Sequence, residues 1–256
     1  MDKIPVIGTA VVNSSYWVSR LIMSVDYPVE NFVIINNNGR GEIDSELDNL
    51  KNLNKKFIDN IKVCHMPSNI GCSGAWNLII KCYMNSPYWI IVNDDVSFGP
   101  NLLEEFNDTQ IVNPDVGLIH AKSGNWDLFL IKDFIINEYG LFDENLYPAY
   151  YEDIDYNMRF IHKPTNKITY LKGFYYHGNS LEYSDKNGGS QTRKSDPELG
   201  KKIDSAHKYN FHYMYKKWGE RWRELCPYLY PFNIEGTPIS TTTYDLNFVR
   251  SKNLGF

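Results

Sequence analysis

The sequence predicts an α/β fold built on a mostly parallel sheet with helices on both faces, and three observations predict it. Short apolar runs bounded by turn residues recur through the first half of the 256-residue chain. Segments with helical spacing separate these runs, and polar clusters follow several of them. Parallel strands need a crossover connection, usually a helix, and such sheets bind ligands beyond the carboxyl ends of their strands.

Strands are expected over residues 6–12, 32–35, 61–66, 89–92 and 116–119, where apolar side chains run without interruption. Helices are expected between them, over 16–25, 43–53, 75–83 and 102–106. Asn13-Ser14-Ser15 follows the first strand, Asn36-Asn37-Asn38-Gly39 the second and Asn93-Asp94-Asp95 the fourth, so three strand ends point at one crevice. After residue 119 the pattern is mixed: a strand over 128–131, a helix over about 152–161, and short strands near 168–171 and 175–176. Residues 184–200, SDKNGGSQTRKSDPELG, carry almost no apolar side chains and read as a mobile loop. A helix with an aromatic face is expected over 204–223, followed by a Pro-rich extended tail.

Composition narrows the function classes. Hydrophobic residues make up 43% of the chain and charged residues 22%, the balance of a globular protein. The formal charge of −5 gives no general attraction for nucleic acid, whose backbone is bound by clustered Lys and Arg. The start, MDKIPVIGTAVVN, lacks the regions of a signal peptide, and no apolar run approaches a membrane span, so a cytoplasmic protein without a transmembrane segment is expected. Cys64, Cys72, Cys82 and Cys226 have neither zinc-site spacing nor the density of a disulfide scaffold, and read as reduced, buried thiols. Asn is abundant along the chain, so an isolated Asn is a poor signal, and the sequons at Asn13 and Asn107 mean little in a cytoplasmic protein.

Four motifs can carry chemistry. In Ile90-Ile91-Val92-Asn93-Asp94-Asp95-Val96, adjacent carboxylates sit at the mouth of a buried strand. Neighbouring anions repel unless a cation binds them, and Mg²⁺ or Mn²⁺ suits oxygen ligands; a solvated Asp-Asp turn is the plainer alternative. Tyr151-Glu152-Asp153-Ile154-Asp155 opens a helix, where acids serve as caps or as a carboxylate held for proton abstraction. Asn69-Ile70-Gly71-Cys72-Ser73-Gly74-Ala75-Trp76-Asn77 is a glycine-bearing turn into a helix, a place where backbone amides meet phosphate, although it lacks a P-loop lysine. Tyr175-Tyr176-His177-Gly178 puts a His after a short apolar run, as a metal ligand or as a structural side chain.

Taken in order, NIGCSGAWN, IIVNDDV, LFLIKDFI…YGLFDENLYPAYYEDIDYNMRF and YYHGNS resemble the family 2 glycosyltransferases of the GT-A fold, closest to the branch that includes bacterial rhamnosyltransferases. The resemblance covers roughly residues 5–181. It implies a single Rossmann-like GT-A domain over 1–225, with a nucleotide-binding half to about residue 97 and an acceptor and catalytic half from about 98, then a C-terminal extension over 226–256. It implies a metal-dependent, inverting transfer from a UDP-, dTDP- or GDP-sugar to a hydroxyl of a glycan or glycoconjugate. Asp95 and His177 become metal ligands and Asp153 the general base, with Asp155 its competitor. Donor contacts fall on Thr9, Val11, Asn13, Asn37, Asn69, Gly71, Asn77, Asn93 and Asp94. Trp126, Asp127 and Glu152 face acceptor or sugar, Trp126 being equally a core residue, and Arg193 and Lys194 stand on a possible lid. The chain departs from the family pattern where Asn37 replaces the usual second-strand Asp and Asn93 the first acid of the metal motif. A nucleotidyltransferase and a catalytically idle sugar- or nucleotide-binding module are the alternatives. The first would want a basic residue near the activated phosphate, and the second has no chemical need for Asp95, Asp153 and His177 together.

Overall fold

The computed structural model describes residues 2–122, 124–162, 167–181 and 190–219. Strands and helices alternate as β1 (Ile4–Val11), α1 (Ser15–Met23), β2 (Val29–Asn36), α2 (Asp44–Asn49), β3 (Ile58–His65), α3 (Gly71–Cys82) and β4 (Tyr88–Asn93). Then follow β5 (Val96–Phe98), α4 (Leu102–Val112), β6 (Leu118–His120), β7 (Leu128–Lys132), α5 (Asp133–Tyr139) and α6 (Glu152–His162). β8 (Ile168–Tyr170), β9 (Tyr175–His177), β10 (Ser180–Leu181), α7 (Gln191–Ser195) and α8 (Pro197–Trp218) complete the described chain.

Seven strands form one sheet in the order β3-β2-β1-β4-β7-β6-β8. β1 pairs in parallel with both β2 and β4, whereas β7 runs antiparallel between β4 and β6. The chain winds outward from β1 to β3 and then returns to place β4 on the other side of β1. That reversal opens a crevice at the carboxyl ends of β1 and β4, where an open α/β sheet receives its ligand. A smaller sheet, β10-β9-β5, stands beside this edge.

Strand residues point alternately to the two faces, and the two main core clusters record it. Ile90 and Val92 join one cluster, with side chains from α1 and α4, while Trp89 and Ile91 join the other, with α3 and α5. α3 lies so close to β1 that a Cβ on Gly8 would sit 2.4 Å from Ile79. Among the described residues no helix is long and apolar enough to cross a membrane.

The structure corrects the sequence reading in three places. The part of 184–200 that is described is not a loop: residues 191–195 form α7, and Asp196 caps α8 by accepting from Leu199 N at 2.9 Å. Side-chain caps order this segment where apolar burial is scarce. The helix expected from 204 starts at Pro197, a residue suited to a first helical turn. The thiols are not uniformly buried, since Cys82 is exposed and Cys64 and Cys72 are half-buried. Residues 184–189, the end of the predicted helix beyond 219, Cys226 and the extension over 226–256 lie outside the described residues.

Candidate active site

A cleft of ≈ 390 Å³ opens at the crevice between β1 and β4. Ala10, Val12, Asn93, Asp94 and Asp95 line it from the two strand ends, and Glu152, Asp153 and His177 line it from α6 and β9.

Asp94 and Asp95 occupy the turn between β4 and β5. The pairing of β5 with β9 sets Val96 opposite His177, which brings the preceding carboxylate beside the imidazole. Asp95 Oδ1 lies 3.0 Å from His177 Nε2, and Asp127 Oδ2 lies 3.2 Å from Nδ1. Both oxygens of Asp127 also accept from the Tyr175 hydroxyl at 2.9 Å. Burial works against a charged imidazole, but Asp127 and Asp95 outweigh it and lift His177 to about 9. The two carboxylates thus favour the protonated ring, which would give up its Nε2 proton wherever a cation takes that place. Burial, followed by the charge of Asp95, pushes the Asp94 carboxyl well above its ordinary value. The free oxygen of Asp95 is covered by α7, whose Gln191 N–H donates to Oδ2 at 2.8 Å.

The second acidic cluster divides sharply. Tyr150 and Tyr151 enter α6 with φ of 73° and 78°, a left-handed conformation that bulky residues rarely adopt. α8 clamps this turn: Asn210 Nδ2 donates to the carbonyls of Ala149 and Tyr150, both at 3.1 Å. Glu152 is buried and its carboxyl is pushed up to about 8, by burial first and then by Asp153. Asp153 is half-buried, accepts from Ile154 N at 2.8 Å, and is raised by burial. Asp155 points the other way. It is fully buried, paired with Arg159 and with Lys217 Nζ at 2.7 Å, and accepts from Trp218 Nε1 at 2.9 Å. That geometry removes Asp155 from competition for the role of base.

Other expected contacts are redistributed. Thr9 and Val11 are fully buried within β1, and it is Ala10 and Val12 that line the cleft, as the alternation of a strand requires. Asn77 is a tie between elements, donating to Phe142 O at 2.9 Å and accepting from Phe142 N at 2.9 Å. The turn into α3 is not an open phosphate cradle: Gly71 N donates to Asn69 Oδ1 and Cys72 N to Pro148 O, each at 2.8 Å. Gly71, at φ 78°, leaves no room for a Cβ, which would meet the Tyr147 ring at 2.9 Å. Asn37 lines the cleft but is engaged with Gly71 O at 3.2 Å. Asn13 donates to Thr192 O at 3.0 Å. Trp126 reaches the cleft from within a cluster of Phe129, Phe142 and Tyr156 rings. Arg193 lines the cleft and bonds the Tyr150 hydroxyl at 3.0 Å, whereas Lys194 is exposed and outside it.

The Asp95 and His177 donors suit a hard or borderline divalent cation, and Asp127 on the far ring nitrogen is the kind of partner that orients a ligating imidazole. Among the described residues no group of three or more His, Cys, Asp or Glu side chains is arranged as a ready cage. A cation bound here would take remaining ligands from water or substrate. Sequence reasoning missed Tyr175, Gln191 and Asn210. Each acts across a long separation or through its backbone and leaves no local motif.

No protein-family model and no curated protein sequence matches the chain. Solved structures do. S. aureus TarS 1-349 superposes with a TM-score of 0.54 at 15% identity, over 68% of this chain and 60% of that one. In complex with UDP-GlcNAc, the same TarS fragment matches at 0.55 and 14% identity, over 83% of this chain and 66% of that one. The mannosyltransferase PcManGT from Pyrobaculum calidifontis, in complex with GDP-Man and Mn²⁺, matches at 0.52 and 11% identity, over 67% of this chain and 57% of that one. The chain thus spans about 60% of the length of the TarS fragment it matches first. At these identities the likeness shows a shared mixed α/β architecture of the GT-A kind.

Proposed function

We propose that the chain is a metal-dependent, inverting glycosyltransferase that moves a sugar from a nucleoside-diphosphate sugar, with UDP, dTDP or GDP as carrier, to a hydroxyl of a glycan or glycoconjugate. The observation that carries this reading is the convergence of Asp94, Asp95, Asp127, Glu152, Asp153 and His177 on one cleft at the strand reversal. Solved proteins of the same architecture hold UDP-GlcNAc in one case and GDP-Man with Mn²⁺ in another, which supports a nucleotide-sugar donor. The catalytic domain is assigned to 1–225 and an extension to 226–256.

Asp95 and His177 would hold the cation, which supplies positive charge to the donor diphosphate when bound. Asp127 holds the imidazole from behind at 3.2 Å. Glu152 keeps its proton up to about pH 8, which leaves the negative charge of the acidic pair on Asp153. Asp153 then receives the acceptor hydroxyl proton as that oxygen bonds to the anomeric carbon and the bond to the diphosphate breaks. Tyr150 and Arg193, bonded to each other, shape the rim of the same cleft.

Thermal denaturation tests the reading. Nucleoside diphosphates and nucleotide sugars, with and without Mn²⁺, should raise the melting temperature of the wild type selectively, because a ligand of the folded state stabilises it by mass action. Asp95→Ala should lose the metal-dependent part of that rise. An equal rise with and without Mn²⁺, or an unaltered one in the variant, would reject Asp95 as the metal ligand.

A further inference from the structure

Tyr150 and Tyr151, at φ 73° and 78°, are the two residues that lead into Glu152 and Asp153. A left-handed conformation costs any residue with a Cβ, and two in a row persist only where the surroundings hold them. Here the surroundings are α8. Asn210 is buried and does not line the cleft, so it cannot act on a ligand directly. Its one amide nitrogen nevertheless donates to both the Ala149 and the Tyr150 carbonyl, each at 3.1 Å. Tyr151 turns from the cleft onto the same helix, its ring centroid 4.8 Å from that of His207. We infer that Asn210 is a positioning residue for the proposed transfer: it holds the left-handed turn that keeps the start of α6, and Asp153 with it, set at the cleft.

This role rests on Asp153 as the base and supplies what keeps that base in place. Lys217 and Trp218 fasten the end of α8 to Asp155 in α6. Asn210, about two turns earlier, fastens the same helix to the residues that precede α6. The first turn of α6 is therefore gripped at both ends, with Asp155 N–H donating to Tyr151 O at 2.7 Å and Asp153 between them. Neighbouring carbonyls that converge on one point repel each other, and an amide with two hydrogens to give turns that repulsion into two hydrogen bonds. Without the amide, Tyr150 and Tyr151 gain by returning to negative φ. Asp155 is locked by Arg159, Lys217 and Trp218, so the rotation is taken up before it, in the first turn and in the cleft residues Ala149 and Tyr150. A general base needs the acceptor hydroxyl within hydrogen-bond reach, so such a shift costs turnover. Donor binding is spared, because Asp95 and His177 come from the β4–β5 turn and from β9.

Turnover of nucleotide sugars by the full chain, with donor KM and the unfolding midpoint measured alongside, tests the role. Asn210→Ala removes both donors and leaves room for water at the two carbonyls. Its kcat should fall roughly tenfold, with donor KM within about twofold of wild type. Glycine adopts positive φ without a steric cost, so the same change made in a Tyr150→Gly background should lower kcat by less than about threefold, each variant measured against its own parent. If the alanine variant does not fold, Asn210→Ser, which keeps a single donor, carries the same comparison. A side chain that only stabilises the fold would move the midpoint, leave kcat unchanged well below it, and lose nothing to the glycine background. An unchanged kcat, or an equal loss in both backgrounds, would overturn the inference and leave the transferase reading standing. A wild type that turns over no nucleotide sugar removes that reading and this role with it.

Discussion

Two buried groups of carboxylates stand back to back around α6, and they are balanced in opposite ways. On the core side, Asp143 and Asp155 face Lys217 and Arg159, with Lys217 Nζ at 2.7 Å from each carboxylate. On the cleft side, Asp94, Asp95, Asp127, Glu152 and Asp153 share His177, with Arg193 at the rim. The first group is neutral within itself and ties α8 to α6. The second has five carboxyls around one imidazole, and the Arg193 guanidinium at its rim is already paired with Asp204, so its charge is met by retained protons and by whatever enters from solvent. An acid whose countercharge is built into the chain holds the fold, and one left short of it is available for chemistry.

The largest expected effect lies on the balanced side. Lys217→Met should destabilise the protein by about 3–5 kcal/mol, because it leaves the buried Asp143 without its countercharge and Asp155 with Arg159 alone. Urea unfolding measures it, and a loss below about 1 kcal/mol would mean that the two groups differ less than their geometry indicates. Asp155→Asn should likewise be lost in stability before it is lost in turnover.

On the cleft side the prediction reverses. Asp153→Asn preserves shape but removes the basic oxygen, and its kcat should fall at least ~10²-fold while donor affinity and unfolding midpoint stay close to wild type. Near-normal turnover in this variant would take the role of base away from Asp153.

The prediction that sharpens the comparison most is a pH dependence. The Glu152 carboxyl ionises near 4.5 when unperturbed and near 8 in the fold, so between these values the folded protein binds more protons than the unfolded chain. The contribution of Glu152 is fully favourable below pH 4.5 and is lost as pH rises toward 8. Glu152→Gln cannot ionise. Its melting temperature should gain on the wild type progressively through that window and level off above it. A constant difference across the range would show that Glu152 is ionised in the fold throughout.

Much of this architecture was legible because its signals are local. Apolar runs marked β1 to β4, and the strand-end rule led from Val92 to Asp94 and Asp95 without any knowledge of the partners. What the sequence withheld depends on distant pairing. Lys217 and Asp143 are 74 residues apart, and Tyr175 and Asp127 are 48 apart. Asn77 and Asn93 look alike in sequence, yet one is bolted to the Phe142 backbone and the other opens on the cleft, a difference set by the helix and strand that carry them. The same limit explains residues 190–200, where counting apolar side chains overlooked the caps at Ser190 and Asp196.

Three contacts bear on affinity. With Gln191 N–H on Asp95 Oδ2, Thr192 O held by Asn13 and Arg193 held by Tyr150, the chain occupies part of its own cleft. Any ligand that claims both oxygens of Asp95 meets only the molecules in which α7 has lifted, and its apparent dissociation constant is the intrinsic one divided by that fraction. Each ~1.4 kcal/mol that holds α7 down weakens apparent binding tenfold. Side chains that never touch a ligand can in this way set how much of it the protein needs.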